Sequence, residues 1–274
     1  MRLGADIRLT NPDPTTWERE LRRLALRSVV WPLDRDESED QIRDYTAIAA
    51  AHDVLIAEVP AWCNPLHPDA HTRAAKIERC QTRLALAERI GARCCVNVGG
   101  SCGESWWGPH PRDLDEDRFD LVVETVRCIV DAVRPTRTRY TLETMPWMHP
   151  DSPQAYRRLI AAVDRPGFAV HLDPVNMITS PQRCFANAAF LRECFELLGP
   201  WIRSCHAKDV RLDTRLTVHL DEVPPGQGAL CYRSFLAGLA RLDPDTPLII
   251  EHVEPAQMPA ALAHIRTLAA EVDG

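Results

Sequence analysis

Four stretches in the second half of the chain end apolar runs on groups that bind metals or carry protons. They are Leu142-Glu143-Thr144, His171-Leu172-Asp173-Pro174, Cys205-His206-Ala207-Lys208-Asp209 and Ile250-Glu251-His252. A single carboxylate at a strand end is ordinarily a helix cap or a solvated group. Four ionisable residues on successive strands are different, because a parallel sheet brings its strand ends to one edge. Three carboxylates held that close repel one another and raise their own pKa values unless a cation sits among them. Three carboxylate oxygens and one imidazole nitrogen suit Mn2+, Mg2+ or Co2+ better than a thiolate-type zinc site. An ion held this way polarises a carbonyl and stabilises the enediolate left when the neighbouring carbon loses a proton. Metal-bound or neighbouring carboxylates are then the candidate bases.

Other residues surround this quartet. Lysine occurs twice in the chain, at 76 and 208, and Lys208 follows His206 by two positions. It reads either as a cation aimed at substrate oxygens, with Asp209 supporting it, or as a strand-end ion pair. His171 precedes Asp173 by two positions, so strand alternation points both the same way. It is expected to back the ligands or fill the barrel layer beneath them. Asn176 either bonds a substrate hydroxyl or caps the turn. Of seven tryptophans, Trp31, Trp62, Trp106, Trp107 and Trp147 follow expected strands. Trp107 and Trp147 are expected to stack on the apolar face of a sugar ring. A hydrophobic rim for subunit contact is the other reading of these aromatics.

These groups need an alternating framework to position them. Apolar, β-rich runs at 3–9, 28–32, 54–59, 93–98, 139–144, 168–173, 202–207 and 248–252 alternate with helix-period stretches. The helical stretches are 15–26, 40–52, 69–90, 115–134, 152–163, 184–198, 232–242 and 256–271. Runs such as VLIAEV and CCVNV are apolar almost throughout, as strands covered on both faces are. Thr15, Asp115 and Ser152 are expected to start helices, and Gly91 to end one. Eight strands alternating with eight helices predict a closed (β/α)8 TIM barrel, one domain over 1–274. An open doubly wound sheet ordinarily has a Gly-rich first crossover, and RLTNPDPTTW has no glycine. Long loops at 60–68, 99–114 and 208–229 come directly after strand C-termini, where such barrels keep their active sites.

Composition narrows the partners. The 274 residues are 45% hydrophobic and 26% charged, with a net charge of −7, which disfavours nucleic acid and anionic membrane. Ten cysteines without a C-x-x-C pair read as reduced, buried thiols. No apolar stretch approaches membrane-spanning length and no signal-peptide pattern opens the chain, so a cytoplasmic protein is expected.

The stretches LETMPW, HLDPVNM, SCHAKDV, EVPPGQGALCYRSFL and IIEHVE, with AWCNPLHPD upstream, resemble the xylose isomerase-like TIM barrel superfamily, particularly its sugar phosphate isomerase/epimerase branch. The resemblance runs from about residue 54 to 254. It implies one divalent metal, Mn2+ first and Mg2+, Co2+ or Zn2+ otherwise, held by Glu143, Asp173, His206 and Glu251. It also implies that Glu143 and Glu251 exchange the proton on either face of the reacting carbon. The substrate implied is a keto-sugar, sugar derivative or cyclic polyol, and a homodimer or homotetramer is the implied assembly. Three sugar-contacting positions depart from the ketose 3-epimerases. Asn176 stands where those have His, His149 where they have Glu, and Leu212 where they have Arg, with Arg211 beside it. These make His149, Asn176 and Arg211 the candidate substrate-binding positions, and a free-ketose 3-epimerase the less apt assignment. Relatives that expel a β-substituent from the same enediolate, acting on inositol derivatives or 3-keto-glycosides, make a lyase the alternative. Abasic-site nucleases share the barrel but need a three-metal cluster and a basic face. A barrel that only binds, without catalysing, would fold and hold no metal.

Overall fold

A computed structural model describes residues 1–7, 9, 13–34 and 37–273. In chain order the elements are β1 (Arg2–Ala5), α1 (Pro14–Arg23), β2 (Ser28–Val30), α2 (Glu39–Ala51), β3 (Leu55–Pro60), α3 (Ala70–Ile90) and β4 (Cys94–Asn97). Then come α4 (Glu116–Val133), β5 (Tyr140–Glu143), α5 (Pro153–Val163), β6 (Phe168–Leu172), α6 (Pro181–Phe185), α7 (Asn187–Leu198) and β7 (Ile202–Ala207). The last are β8 (Asp209–Leu212), β9 (Leu220–Val223), α8 (Tyr232–Leu239), β10 (Pro247–Ile250) and α9 (Met258–Asp273). Among the described residues, eight parallel strands close in the order β1-β10-β7-β6-β5-β4-β3-β2, and β8 and β9 form a separate antiparallel hairpin. This is the expected (β/α)8 barrel.

The local chemistry of the chain explains most of the element ends. Ser38 accepts from the Gln41 amide while the Gln41 side chain accepts from the Ser38 amide, a reciprocal start for α2. Ser152 accepts from the Ala155 amide with Pro153 at the first helical position of α5. Gly91, at φ 73°, ends α3 in the left-handed conformation that glycine tolerates best. One expected helix start is corrected, and a second holds without a capping bond. Asp13, not Thr15, caps α1 by accepting from the Thr16 amide, because Pro14 already has the fixed φ of a first helical residue. Asp115 occupies the position before α4 but its side chain makes no capping hydrogen bond.

The expected strand over 3–9 is too long: β1 stops at Ala5, and Arg8 lies outside the described residues. The 184–198 stretch divides into α6 and α7. The 208–229 stretch is not simply a loop, since it holds the β8–β9 hairpin.

Strands β4, β5, β6 and β10 are buried along their whole length, as covered parallel strands must be. Near the C-terminal ends of the strands, the Tyr156 hydroxyl from α5 lies between β5 and β6. It is 2.7 Å from the Leu142 carbonyl and 3.0 Å from that of Ala169, and it accepts from the Leu142 and His171 amides. The register between β6 and β7 slips between Val170 and His171, an irregularity that aims His171 and the residues after it. Among the described residues, no helix is long and apolar enough to cross a membrane.

Candidate metal centre and active site

Glu143 is the last residue of β5, His206 lies near the end of β7, and Asp173 and Glu251 directly follow β6 and β10. All four are buried, and one ligand atom from each lies within 4.8 Å of the others. The Nδ1 of His206 is 3.0 Å from Glu251 Oε1, 3.2 Å from Glu143 Oε1 and 3.5 Å from Asp173 Oδ2. Asp173 Oδ1 accepts from the amides of Val175 and Asn176, which fixes its carboxylate and turns Oδ2 toward the cluster. The Nζ of Lys208, 2% exposed, lies 2.5 Å from Glu251 Oε1, 2.8 Å from Asp173 Oδ2 and 3.4 Å from Glu143 Oε1.

The electrostatics are those of a site built around positive charge. Burial works to raise the Asp173 carboxyl, but Lys208 and His206 hold it far below the usual carboxylate range. Burial likewise opposes ionisation of Glu251, and His206 and Lys208 overcome it. In return, burial would discharge His206 and Lys208, yet the surrounding carboxylates raise both well above their ordinary values. Asp173 Oδ2 and Glu251 Oε1 are buried and both face the Lys208 ammonium and the His206 imidazole. Three buried carboxylates gathered this closely around one imidazole are what a resident cation would satisfy. Three oxygens and one nitrogen at this spacing fit one hard divalent ion of the Mn2+ or Mg2+ kind.

Glu58, from β3, is the group that sequence reasoning did not single out. It is 1% exposed, 3.0 Å from His171 Nε2, 3.3 Å from His206 Nε2, and hydrogen-bonded by the Ser204 hydroxyl. Burial opposes its ionisation, but the His171 and His206 imidazoles hold it well below the ordinary carboxylate value. The two imidazole rings meet edge to face at 4.0 Å. His171 therefore lies behind the quartet, pairing with the carboxylate that orients His206.

A cavity of about 590 Å³ opens onto Glu143 and Glu251 of the quartet. Trp107 and Trp147 line it, joined by Trp62 and Trp106, and Trp147 Nε1 donates to the Trp107 carbonyl at 2.7 Å. Asn176 lines it too, donating from Nδ2 to Glu143 Oε1 at 3.0 Å and to the Thr144 carbonyl at 3.1 Å. Glu222 of β9 reaches the same cavity, 3.7 Å from Lys208 Nζ and 3.0 Å from His252 Nδ1. The sequence hid this residue because its hairpin read as loop.

Three expected placements change. His149 is buried outside the cavity wall, with its ring 5.3 Å from that of Phe119, because the chain turns it back onto α4. Arg211 is exposed on β8 and lines no part of the cavity. Alternation buries its neighbour Val210 and sends Arg211 to the opposite, solvent side. Asp209 supports neither Lys208 nor the ligands by side-chain contact. Its Oδ1 accepts from the Val210 and Leu230 amides and its Oδ2 from those of Gly226 and Gly228, so it fastens the loop that leads to α8. Trp31 also stays outside, donating to Glu37 beside Tyr45.

The xylose isomerase-like TIM barrel family model matches residues 19–268, and the chain belongs to that family. Among curated proteins, none matches the sequence significantly. Solved structures share the fold at low identity. A xylose isomerase-like TIM barrel protein from Mycobacterium smegmatis, in complex with magnesium, is 16% identical with a TM-score of 0.72, the match covering 99% of this chain and 97% of that one. The probable 3-DHS dehydratase of petrobactin synthesis from Bacillus anthracis is 16% identical, TM-score 0.75, with 98% of each chain covered. The 3-keto-D-glucoside 4-epimerase of E. coli is 17% identical, TM-score 0.71, covering 97% of this chain and 99% of that one.

Proposed function

We propose that this protein is a metal-dependent isomerase or epimerase that moves a proton next to the carbonyl of a keto-sugar, sugar derivative or cyclic polyol. The observation that carries the reading is the convergence of Glu143, Asp173, His206 and Glu251 within 4.8 Å, with Glu143 and Glu251 in the wall of a tryptophan-lined cavity. These four residues would hold the ion, Mn2+ or Mg2+ by the chemistry of the donor set. When bound, the ion supplies Lewis-acid polarisation of a carbonyl. The rest falls to the chain's own side chains. Glu143 and Glu251 come from strands three places apart around the barrel, so their carboxylates reach a substrate carbon from two directions. One removes the proton and the other returns it. Lys208 keeps positive charge beside both, where negative charge develops on the substrate oxygen. Trp107 and Trp147 offer faces for a sugar ring, and Asn176 offers an amide beside Glu143.

The test is deuterium wash-in. Incubated with Mn2+ and a panel of keto-sugars in D2O, the wild type should exchange a carbon-bound proton next to the carbonyl of at least one of them, followed by NMR. Glu143→Gln should slow that exchange by about 10²–10⁴-fold. Exchange that Glu143→Gln leaves untouched, or no exchange in a protein that takes up the metal, overturns the reading.

A lyase is the second reading, favoured by the width of the cavity and by the exposure of Trp106 and Trp107 at its rim. An enediolate carrying a leaving group at the next carbon expels it. With 3-keto-glycosides, release of free aglycone marks elimination, and an intact glycoside with inverted configuration marks epimerisation.

A further inference from the structure

Strands β5, β7 and β10 end in the proposed active site and begin at a second, unrelated cavity of about 770 Å³ at the opposite end of the barrel. Five arginines line it: Arg93 ahead of β4, Arg137 and Arg139 ahead of β5, Arg203 within β7, and Arg241 after α8. Only two carboxylates share the wall. Asp243 is engaged by Arg93 Nη2 at 2.9 Å, and Glu196 is exposed. A cavity with five guanidinium groups against two carboxylates is conspicuous in a chain whose net charge is −7.

The arginines are set rather than loose. Arg139 Nη1 donates to the Thr136 and Thr138 carbonyls and Arg203 Nη1 to those of Pro200 and Ile202. Among the described residues, the Nε and Nη2 of both have no partner. Two polar atoms of the wall are buried and unbonded as well: Arg93 Nε and the Thr246 hydroxyl, the latter residue 1% exposed. Burial lowers the Arg203 guanidinium from its ordinary value, and the neighbouring Arg139 and Arg93 push it the same way. Converging guanidinium groups repel one another and leave donors unsatisfied unless an anion lies between them.

We propose that this basal cavity binds a small phosphate-bearing polyanion. Planar guanidinium forks match pairs of phosphate oxygens and carry charge at every working pH. The cavity is larger than one phosphate group needs, and Phe195, Ile202 and Leu242 give one wall an apolar surface for an organic moiety. The Thr246 hydroxyl and Arg93 Nε gain the partners they lack. The site is independent of the proposed reaction, whose groups lie at the other ends of the strands.

Inorganic pyrophosphate is the probe, measured by isothermal titration calorimetry at fixed ionic strength set with chloride. The wild type should bind it with a sub-millimolar Kd, Arg139→Gln/Arg203→Gln should weaken it at least tenfold, and Thr246→Val severalfold. Arg241→Gln removes an exposed side chain, so it should retain the fold and still weaken binding severalfold. Circular dichroism identifies any variant that fails to fold, and Arg241→Gln then decides. Binding unchanged in the basal variants, as pyrophosphate captured by metal in the mouth would be, overturns the proposal. So does an equal response to chloride alone, or no binding by the wild type.

Discussion

The His206 imidazole presents two nitrogens to two different surroundings. Nδ1 faces Glu251, Glu143 and Asp173, while Nε2 faces Glu58 in the layer below. A histidine that ligates through one nitrogen is held in tautomer and orientation by the partner of its other nitrogen. Glu58 is placed for that role beside the proposed ligand His206, itself fixed by His171 and the Ser204 hydroxyl. Glu58→Gln keeps the shape and removes the charge, and should weaken Mn2+ binding about 10- to 100-fold by titration calorimetry. An unchanged affinity would show that Glu58 only packs the barrel. The proposed ligands were legible because each ends an apolar run on a charge. Glu58 was not, because it sits inside VLIAEV and its partners are 113 and 148 positions away. Local pattern carries no information about which side chains from different strands share a layer of the barrel. The same blindness misplaced Arg211 and His149: proximity to a ligand in sequence does not fix the side of the strand or turn on which a side chain emerges.

At the scale of elements, the stretch after β7 shows how a polar segment becomes ordered. RLDTRLTVHLDEV carries too few apolar residues to announce strands, yet it pairs as β8 with β9 from Asp209–Val223 through Leu212–Leu220. The hairpin brings Glu222 to the cavity, and Asp209 ties its base to the loop leading to α8 through four backbone amides. Glycine is required at 228, because a Cβ there would come within 2.3 Å of Asp209 Oδ1 and 2.5 Å of the Val210 carbonyl. Asp209→Ala leaves those amides without their acceptor, two of them on the buried residues Val210 and Leu230. Urea denaturation should show a loss of about 2–4 kcal/mol, since removing a charged acceptor costs about 1.5–3 kcal/mol and unpaired buried donors add to it. Because Lys208 adjoins Asp209, the same variant should lower activity as well. A stability within about 0.5 kcal/mol of wild type would mean that water replaces the carboxylate and that the loop holds itself. Helices, by contrast, were legible to within a few residues, since 3.6-residue periodicity and caps such as Ser152 and Gly91 are local signals.

For the whole molecule, the barrel followed from strands apolar on both faces, from the count of eight alternating pairs, and from a first crossover without the glycines of an open doubly wound sheet. That architecture then imposes a cost at its mouth. Glu143, Asp173 and Glu251 are delivered to one place against Lys208 and His206 as cations, while Glu58 beneath also pairs with His171 and the exposed Glu222 above pairs with His252. Buried charge of one sign in excess destabilises the fold, and an ion bound only by the folded state should relieve it. Binding at 100 times the Kd adds about 2.7 kcal/mol, and each kcal/mol moves the midpoint of a domain this size by about 2–4 °C. Adding Mn2+ to EDTA-treated protein should therefore raise Tm by about 5–10 °C by calorimetry. Glu143→Gln should remove most of that rise, because it deletes one of the four proposed ligands. A Tm indifferent to Mn2+, or a rise equal in both proteins, would mean that Lys208 and His206 already balance the site and that the quartet holds no metal.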